Sequence, residues 1–562
     1  MMKTEICKQV KKLEFTEIFL VFSIMLMGLF HEFLSCIAGI AICIYLMVLI
    51  KKRGKLFFYT NIASVAVLAI VLFYGLSIFW AVDKGDAVIG FFKFLPLALF
   101  IILVMQRIES TDVLLRGLPI CAVFMTVISA ILMQIPALKN YFSVAGRLSG
   151  FFQYANTFAL FLIIGLIIIA TKENLAVMDY VMFPILIFGI IYSGSRTAFA
   201  LLIFTVLALA LFKKNNKHRL LFTAAVIIAV AVAAVYALVT DNFYSIGRFL
   251  TISLKESTFV GRLLYYRDAL PIILRHPFGL GFLGYSYMQN SFQTGVYTVR
   301  YIHNDFLQLT LDIGWGPTLL FVAAIIKSFF KKGSSLRKRL LLLVISAHTC
   351  FDFNFQYVAI FIIFILLLDY KDGIKKEIRL SKTALMSVGI VISVLFSYIG
   401  LSQAFFYFKQ YDIANSIYPF STRCKIAMMQ LQNREDAIIT AEKIIDSNEY
   451  VYLAYRVKAG EAYSNGDFKK VIEYENKAIE LSPFTYETYE EYCYMLINGI
   501  YLYNQAGDRY SSSVCEKELV STVNKLQSLS DKQSKLGKMI KDQPKTELPE
   551  EIMNYVEEFE KK

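Results

Sequence analysis

Apolar runs of about 17–25 residues recur along the first 400 positions of this chain, each long enough to cross the hydrocarbon core of a bilayer as a helix. Within lipid, every backbone N–H and C=O must be bonded inside its own segment or a closed barrel, so continuous apolar runs imply helices. Composition agrees: 57% of the 562 residues are hydrophobic, against roughly 45–50% in a soluble globular domain. Charged residues make up only 18% and gather between the runs. The net charge of +13 reads as loop charge on the cytoplasmic side of a membrane rather than as a nucleic-acid surface, so no nucleic-acid partner is expected. No small-residue cleavage site follows the first run, which reads as a retained helix rather than a signal peptide.

Thirteen spans are expected, at about 15–32, 34–50, 57–79, 87–105, 113–134, 155–171, 178–194, 196–212, 219–240, 305–326, 339–352, 354–369 and 384–404. Lysines and arginines assign the sides. Lys3, Lys8, Lys11 and Lys12 precede the first span, and Lys51, Lys52, Arg53 and Lys55 follow the second. Lys213, Lys214, Lys217 and Arg219 fall between the eighth and ninth, Lys331, Lys332, Arg337, Lys338 and Arg339 after the tenth, and Lys371, Lys375, Lys376, Arg379 and Lys382 after the twelfth. A thirteen-span chain places all of them on one side, the cytoplasm, with the N-terminus inside and the C-terminal part outside. The outer segments are then 80–86, 138–154, 193–196 and the long loop 241–304.

From about Phe405 the composition turns polar and helical. Ala459-Gly-Glu-Ala-Tyr-Ser-Asn-Gly-Asp-Phe468, followed by Val471, Ala478 and Pro483, resembles a tetratricopeptide repeat, and Ala437, Lys443 and Ile444 precede Val471, Lys477 and Ala478 by the 34 residues of that repeat's period. Helical repeats are expected over 405–500 and a charged helical tail over 501–562. Stacked units of this kind present a concave binding face.

The chain has no Gly-rich phosphate loop, nucleophile elbow or metal-ligand set, and no CxxC pair among its eight cysteines, so neither metal nor cofactor is expected. The informative polar residues lie on the outer segments. Gly146-Arg-Leu-Ser-Gly-Phe-Phe-Gln-Tyr-Ala-Asn156 enters the sixth span, and a helix entrance favours anions. A snorkelling interfacial arginine is the competing reading of Arg147. Ser193-Gly-Ser-Arg-Thr197 breaks two apolar helices and puts Arg196 at a fresh helix start, where a guanidinium matches phosphate; a polar hairpin tip is the alternative. The long loop carries Arg262, Tyr266, Arg267 and Asp268, then Arg275-His-Pro-Phe-Gly-Leu-Gly281, then His303-Asn-Asp-Phe-Leu-Gln308. His303, beside Asn304 and Asp305 at a helix entrance, is the general-base candidate. Lys93 lies about two turns into the fourth span, where a lysine pairs, lines a cavity or snorkels.

In order, these segments resemble the O-antigen ligase and polymerase superfamily over most of residues 60–370. The pieces are Trp80-Ala-Val-Asp83, Arg147 with Asn156, Ser195-Arg196, His276 to Gly281, His303 to Gln308, and His348 with Phe351-Asp-Phe353. The resemblance implies an all-α, polytopic transmembrane bundle of the GT-C type over 1–404, followed by the tetratricopeptide-like part. It also implies an inverting, metal-independent membrane glycosyltransferase at the cell envelope, with the concave face of the repeats taking the acceptor or an envelope-assembly protein. The donor would be a polyprenyl-pyrophosphate-linked glycan presented in membrane lipid, and the acceptor a glycan, lipid or protein. His303, Arg196 and Arg262 would be catalytic. Arg147, Arg267, Lys93, Asn156, Asn304, Asp305 and Tyr266 would bind substrate, with Asp305 or Asp268 orienting His303 or serving as base in its place. A pyrophosphate is already a good leaving group, so such a site needs charge stabilisation more than acid assistance. A lipid-linked glycan exporter and a non-catalytic scaffold are the rival readings. An exporter places its charges at the bilayer midplane on repeated halves, and matching halves are not evident here.

Overall fold

The computed structural model describes residues 15–560 apart from 107–110, 213–215, 245–246, 249–256, 371 and 379–380. The expectations resting on Lys3, Lys8, Lys11, Lys12, Lys213, Lys214, Lys371 and Arg379 lie outside the described residues. Among the described residues the fold is all-α apart from two short antiparallel ribbons. Among the described residues, four helices are long and apolar enough to cross a membrane: Glu32–Arg53, Ile62–Phe79, Lys84–Met105 and Lys382–Tyr407. Seven further apolar helices are shorter, Phe15–Met25, Leu118–Leu132, Ala155–Ala170, Val177–Tyr192, Arg196–Leu209, Ala224–Thr240 and Trp315–Phe330.

Several of the expected spans take a different form: Phe57–Thr60, the start of the span expected at 57–79, is a strand, and two others depart further. The run at 354–369 becomes a three-residue turn at Asn354–Gln356 and a nine-residue helix, Val358–Leu366, buried along its whole length. At 1.5 Å per residue that helix is about 14 Å long, roughly half the hydrocarbon core. It is apolar because other helices surround it. The run at 305–326 is two helices, Asp305–Ile313 and Trp315–Phe330, broken at Gly314. Gly314 sits at φ 84° and ψ −179°, a region essentially reserved for glycine, and a Cβ there would meet Pro277 O at 2.3 Å. The Pro277–Gly281 stretch crosses this break. Pro277 O accepts from Trp315 N (3.1 Å), while Leu280 N and Gly281 N donate to the carbonyls of Leu311 (2.6 Å) and Asp312 (3.0 Å). The Pro-Phe-Gly-Leu-Gly motif thereby satisfies carbonyls that a helix end leaves open.

The two ends of the bundle differ in chemistry. Glu32–Arg53 carries Lys51, Lys52 and Arg53 in its last turn, where cations complement the helix dipole, and stops at the left-handed Gly54. Around that end Phe57–Thr60 pairs with Ile374–Glu377, Arg53 donates to Gln106 O (3.2 Å), Lys382 to Lys51 O (3.1 Å) and Arg337 to Thr171 Oγ1 (2.8 Å). Among the described residues, the loops expected in the cytoplasm after the second, tenth and twelfth spans therefore cluster together.

At the opposite end, Glu32 accepts from Arg423 at 3.2 Å and pairs with Arg300 at 2.9 Å. Arg423 also reaches Asp86 at 3.3 Å, Ser421 donates to Asp86 (3.0 Å), and Asn448 donates to Asp83 (3.1 Å). Chain beyond the last long helix is thus docked on the bundle through buried polar contacts. Helices Arg434–Ser447 and Phe468–Leu481 have 14 residues each and begin 34 residues apart, as do the starts of Tyr452–Ser464 and Tyr486–Gln505. The boundary expected at 500 falls inside Tyr486–Gln505, which packs against Arg509–Gln527.

Candidate functional site

Asp352 is the hub of the polar cluster at the docked end. It lies in the loop after helix Leu336–Thr349 and is 2% exposed. Its carboxylate accepts from Tyr154 Oη (2.8 Å) and Asn156 Nδ2 (2.7 Å), and faces His303 Nδ1 at 3.3 Å and Arg262 Nη2 at 3.6 Å. Asn156 in turn accepts from Arg147 Nη2 at 2.5 Å. The hydrogen-bonded path from Arg147 through Asn156 and Asp352 to His303 joins three segments far apart in sequence, 147–156, 303 and 352.

Local geometry explains each arm. Arg147 opens the second strand of a small hairpin, Ser143–Val144 against Arg147–Leu148, whose turn residues Ala145 (φ 49°) and Gly146 (φ 73°) are both left-handed, as a type I′ turn requires. Its Nε donates to Ser193 O at 2.7 Å. Burial, reinforced by nearby Arg248, lowers the pKa of Arg147 to about 10, so it stays cationic at neutral pH. Asn156 lies in the first turn of Ala155–Ala170. Arg262 and Tyr266 are one turn apart on helix Ser257–Arg275. Burial opposes the Arg262 charge, yet Asp352 holds its pKa above the ordinary value. Tyr266 Oη donates to His303 O (2.6 Å) and lies 3.0 Å from Cys350 O. His303 has φ 57°, uncommon outside glycine and worth noting at a functional site. Asn304 caps the next helix by accepting from Phe306 N (3.0 Å) and Leu307 N (3.1 Å). Its role here is to fix the chain direction directly after His303.

A second group of guanidiniums surrounds the turn at 193–196. Arg196 Nε donates to Arg248 O (3.1 Å), and Arg248 Nε donates back to Gly194 O (3.1 Å). Arg147 already holds Ser193 O, and Asn242 ties the start of the long loop to Gly146 O (2.9 Å). Arg147, Arg196 and Arg248 thus converge on one turn. Several like charges held together in this way suit a polyanion.

Other sequence candidates lie elsewhere. Arg267 is exposed, turned about 140° around the helix from Arg262. Asp305 is buried; its Oδ2 accepts from Phe355 N at 3.0 Å, away from His303. Asp268 accepts from Thr294 N (2.8 Å), Thr294 Oγ1 (2.7 Å) and Tyr297 Oη (3.1 Å), and burial raises its pKa. His303 is therefore oriented by Asp352 and by neither Asp305 nor Asp268. Lys93 does not snorkel. It is 0% exposed, donates to Gln356 Oε1 at 3.3 Å and sits over the rings of Phe30 (5.1 Å), Phe282 (5.4 Å) and Tyr301 (5.8 Å). Two rings in succession link it to His303, since Tyr301 packs on Phe353 (5.4 Å) and Phe353 on His303 (5.0 Å).

Asp352 and Arg248 were not singled out from the sequence. Asp352 stood only inside the Phe-Asp-Phe triplet, with no local signal of its role. Arg248 stood alone in a loop with no motif around it.

No curated protein and no solved structure matches this chain. The family model described as O-Antigen ligase matches residues 181–322, a stretch holding Arg196, Arg248, Arg262 and His303 but not Arg147, Asn156 or Asp352. The chain has helices long and apolar enough to cross a membrane, and over residues 181–322 it is similar to the O-antigen ligase family.

Proposed function

We propose that this protein is a glycosyltransferase that moves or polymerises a polyprenyl-pyrophosphate-linked glycan on the outer face of the membrane. The observation that carries the reading is the His303–Asp352 pair, flanked by Arg262 and linked through Asn156 to Arg147. With Asp352 accepting the Nδ1 proton, the lone pair of His303 lies on Nε2, and the ring is 22% exposed. His303 Nε2 takes the proton of an acceptor hydroxyl as that oxygen attacks the anomeric carbon. The new C–O bond forms with inversion while the bond to the pyrophosphate oxygen breaks. Negative charge then grows on the leaving pyrophosphate, and Arg147, Arg196, Arg248 and Arg262 stabilise it, which is where fixed cations lower the barrier most. The role needs neither metal nor nucleotide sugar. The apolar helices keep the polyprenyl tail in lipid, and the docked C-terminal part is the surface assigned to the acceptor.

A membrane assay with a polyprenyl-pyrophosphate-linked oligosaccharide tests the reading. Wild-type protein transfers or lengthens the glycan, whereas His303→Ala at equal abundance does not. Deleting the gene separates the activities: loss of long chains marks a polymerase, free lipid-linked polymer a ligase, and precursor trapped inside the cell marks an exporter instead.

A further inference from the structure

The helix that carries Arg262 is gripped from behind by a segment near the C-terminus. Residues 533–541 leave the C-terminal helices, cross to the loop 257–297 and return. Both flanks are rooted in one apolar core, through Leu529 on one side and Leu548, Ile552 and Val556 on the other. Over the crossing, Ser534 N donates to Thr294 O (2.9 Å) and Lys541 N to Ser257 Oγ (2.9 Å). Leu536 and Ile540 pack with Val260, Leu264 and Tyr297. The backbones touch: a Cβ on Gly537 would meet Thr294 O at 2.2 Å and one on Gly295 would meet Gly537 Cα at 2.8 Å.

Helical geometry turns this contact into a statement about the site. Val260 and Leu264 share one face of Ser257–Arg275, and Arg262 and Tyr266 lie about 200° around it. The same helix thus rests on residues 536–540 with one face and reaches Asp352 and His303 O with the other. Thr294, which the segment holds, also bonds Asp268 on that helix. We propose that residues 533–541 are a brace that positions Arg262 and Tyr266 against Asp352 and His303, with Gly537 and Ile540 as its positioning residues. The proposal rests on the transferase reading for what the positioned groups do.

The test uses the full-length protein in membranes, with Ile540→Asp, Ile540→Val and Gly537→Val. Hydrogen–deuterium exchange reads docking, and initial rates with a polyprenyl-pyrophosphate-linked oligosaccharide read positioning. Ile540→Asp and Gly537→Val are expected to raise exchange along 257–275 and leave Glu32–Arg53 and Lys84–Met105 protected. Misplacing a reacting group by an ångström costs up to about 100-fold, so kcat is expected to fall roughly tenfold or more, with a smaller change in KM for the donor. Ile540→Val is expected to keep both protection and rate. Unchanged exchange in Ile540→Asp overturns the brace, and raised exchange with an unchanged kcat overturns its positioning role. Equal losses in Ile540→Val and Ile540→Asp would also overturn it, pointing to general destabilisation. If His303→Ala transfers as fast as wild type, the transferase reading fails, and the exchange measurement judges the brace on its own.

Discussion

Asp352 serves several partners at once, so its removal has consequences that a single hydrogen bond would not. Asparagine at this position keeps the shape but removes the charge facing Arg262, and its amide can present a donor to the nitrogen that should donate. Arg262 is then a largely buried cation without its carboxylate, a loss worth about 3–5 kcal/mol when a buried pair is broken. Asp352→Asn is expected to lower the transfer rate by roughly 100-fold or more through the wrong imidazole tautomer. Because residues acting as one unit are non-additive, the double variant with His303→Ala is expected to be no slower than His303→Ala alone. Initial rates of the four proteins check this, and additive losses would show that the two act separately. His303 was legible in sequence because it opens a helix beside Asn-Asp. Its partner was not, because it lies 49 positions away. Adjacency favoured Asp305, but the helix starting there turns that carboxylate toward Phe355 N.

Elements set these residues in place, and two of them show what a hydropathy reading leaves out. An apolar run looks the same whether lipid or protein surrounds it, so Val358–Leu366 read as part of a span although it is enclosed by neighbours. One glycine in an apolar run is tolerated in helices, so Gly314 did not announce a break. Gly314→Ala combines a glycine-only backbone region, of order 1–3 kcal/mol, with a contact against Pro277 O. It is expected to lower the thermal midpoint in detergent and to reduce transfer by displacing the His303 segment. A melting curve identical to wild type would contradict this. Asp83, which caps Lys84–Met105, makes a pH-dependent prediction. Burial, with Asp86 adding, raises its pKa from 3.8 to about 6. The folded state thus binds a proton that the unfolded chain has released. The stability from this group is fully present below about pH 4 and is lost as pH rises through about 6. Asp83→Asn retains an acceptor for the helix start and removes that loss. Its midpoint is expected to exceed that of wild type at pH 8 and to equal it near pH 4, and a gap independent of pH would count against the cause.

In the whole molecule, two bodies of different chemistry meet over the site. Arg423, from the C-terminal part, reaches Glu32 and Asp86 on two membrane helices. Arg423→Ala leaves both carboxylates buried and is expected to loosen the docking by about 3–5 kcal/mol. Faster protease cleavage between 405 and 450 would report it, and unaltered cleavage would mean that other contacts hold the seam. The 34-residue period was legible because helix starts repeat at that spacing. The seam was not, since Arg423, Asn448 and Asp83 carry no local sign of one another. The charged loops were legible as a group, and their meeting at one end of the bundle follows from that bias. The most direct measurement is transfer by purified full-length protein in lipid bilayers, supplied with a polyprenyl-pyrophosphate-linked oligosaccharide. Wild type is expected to yield transferred or lengthened glycan, and His303→Ala, with an unchanged melting curve, only background. Equal product from the two proteins would contradict His303 as the base and, with it, the chemistry assigned to the site.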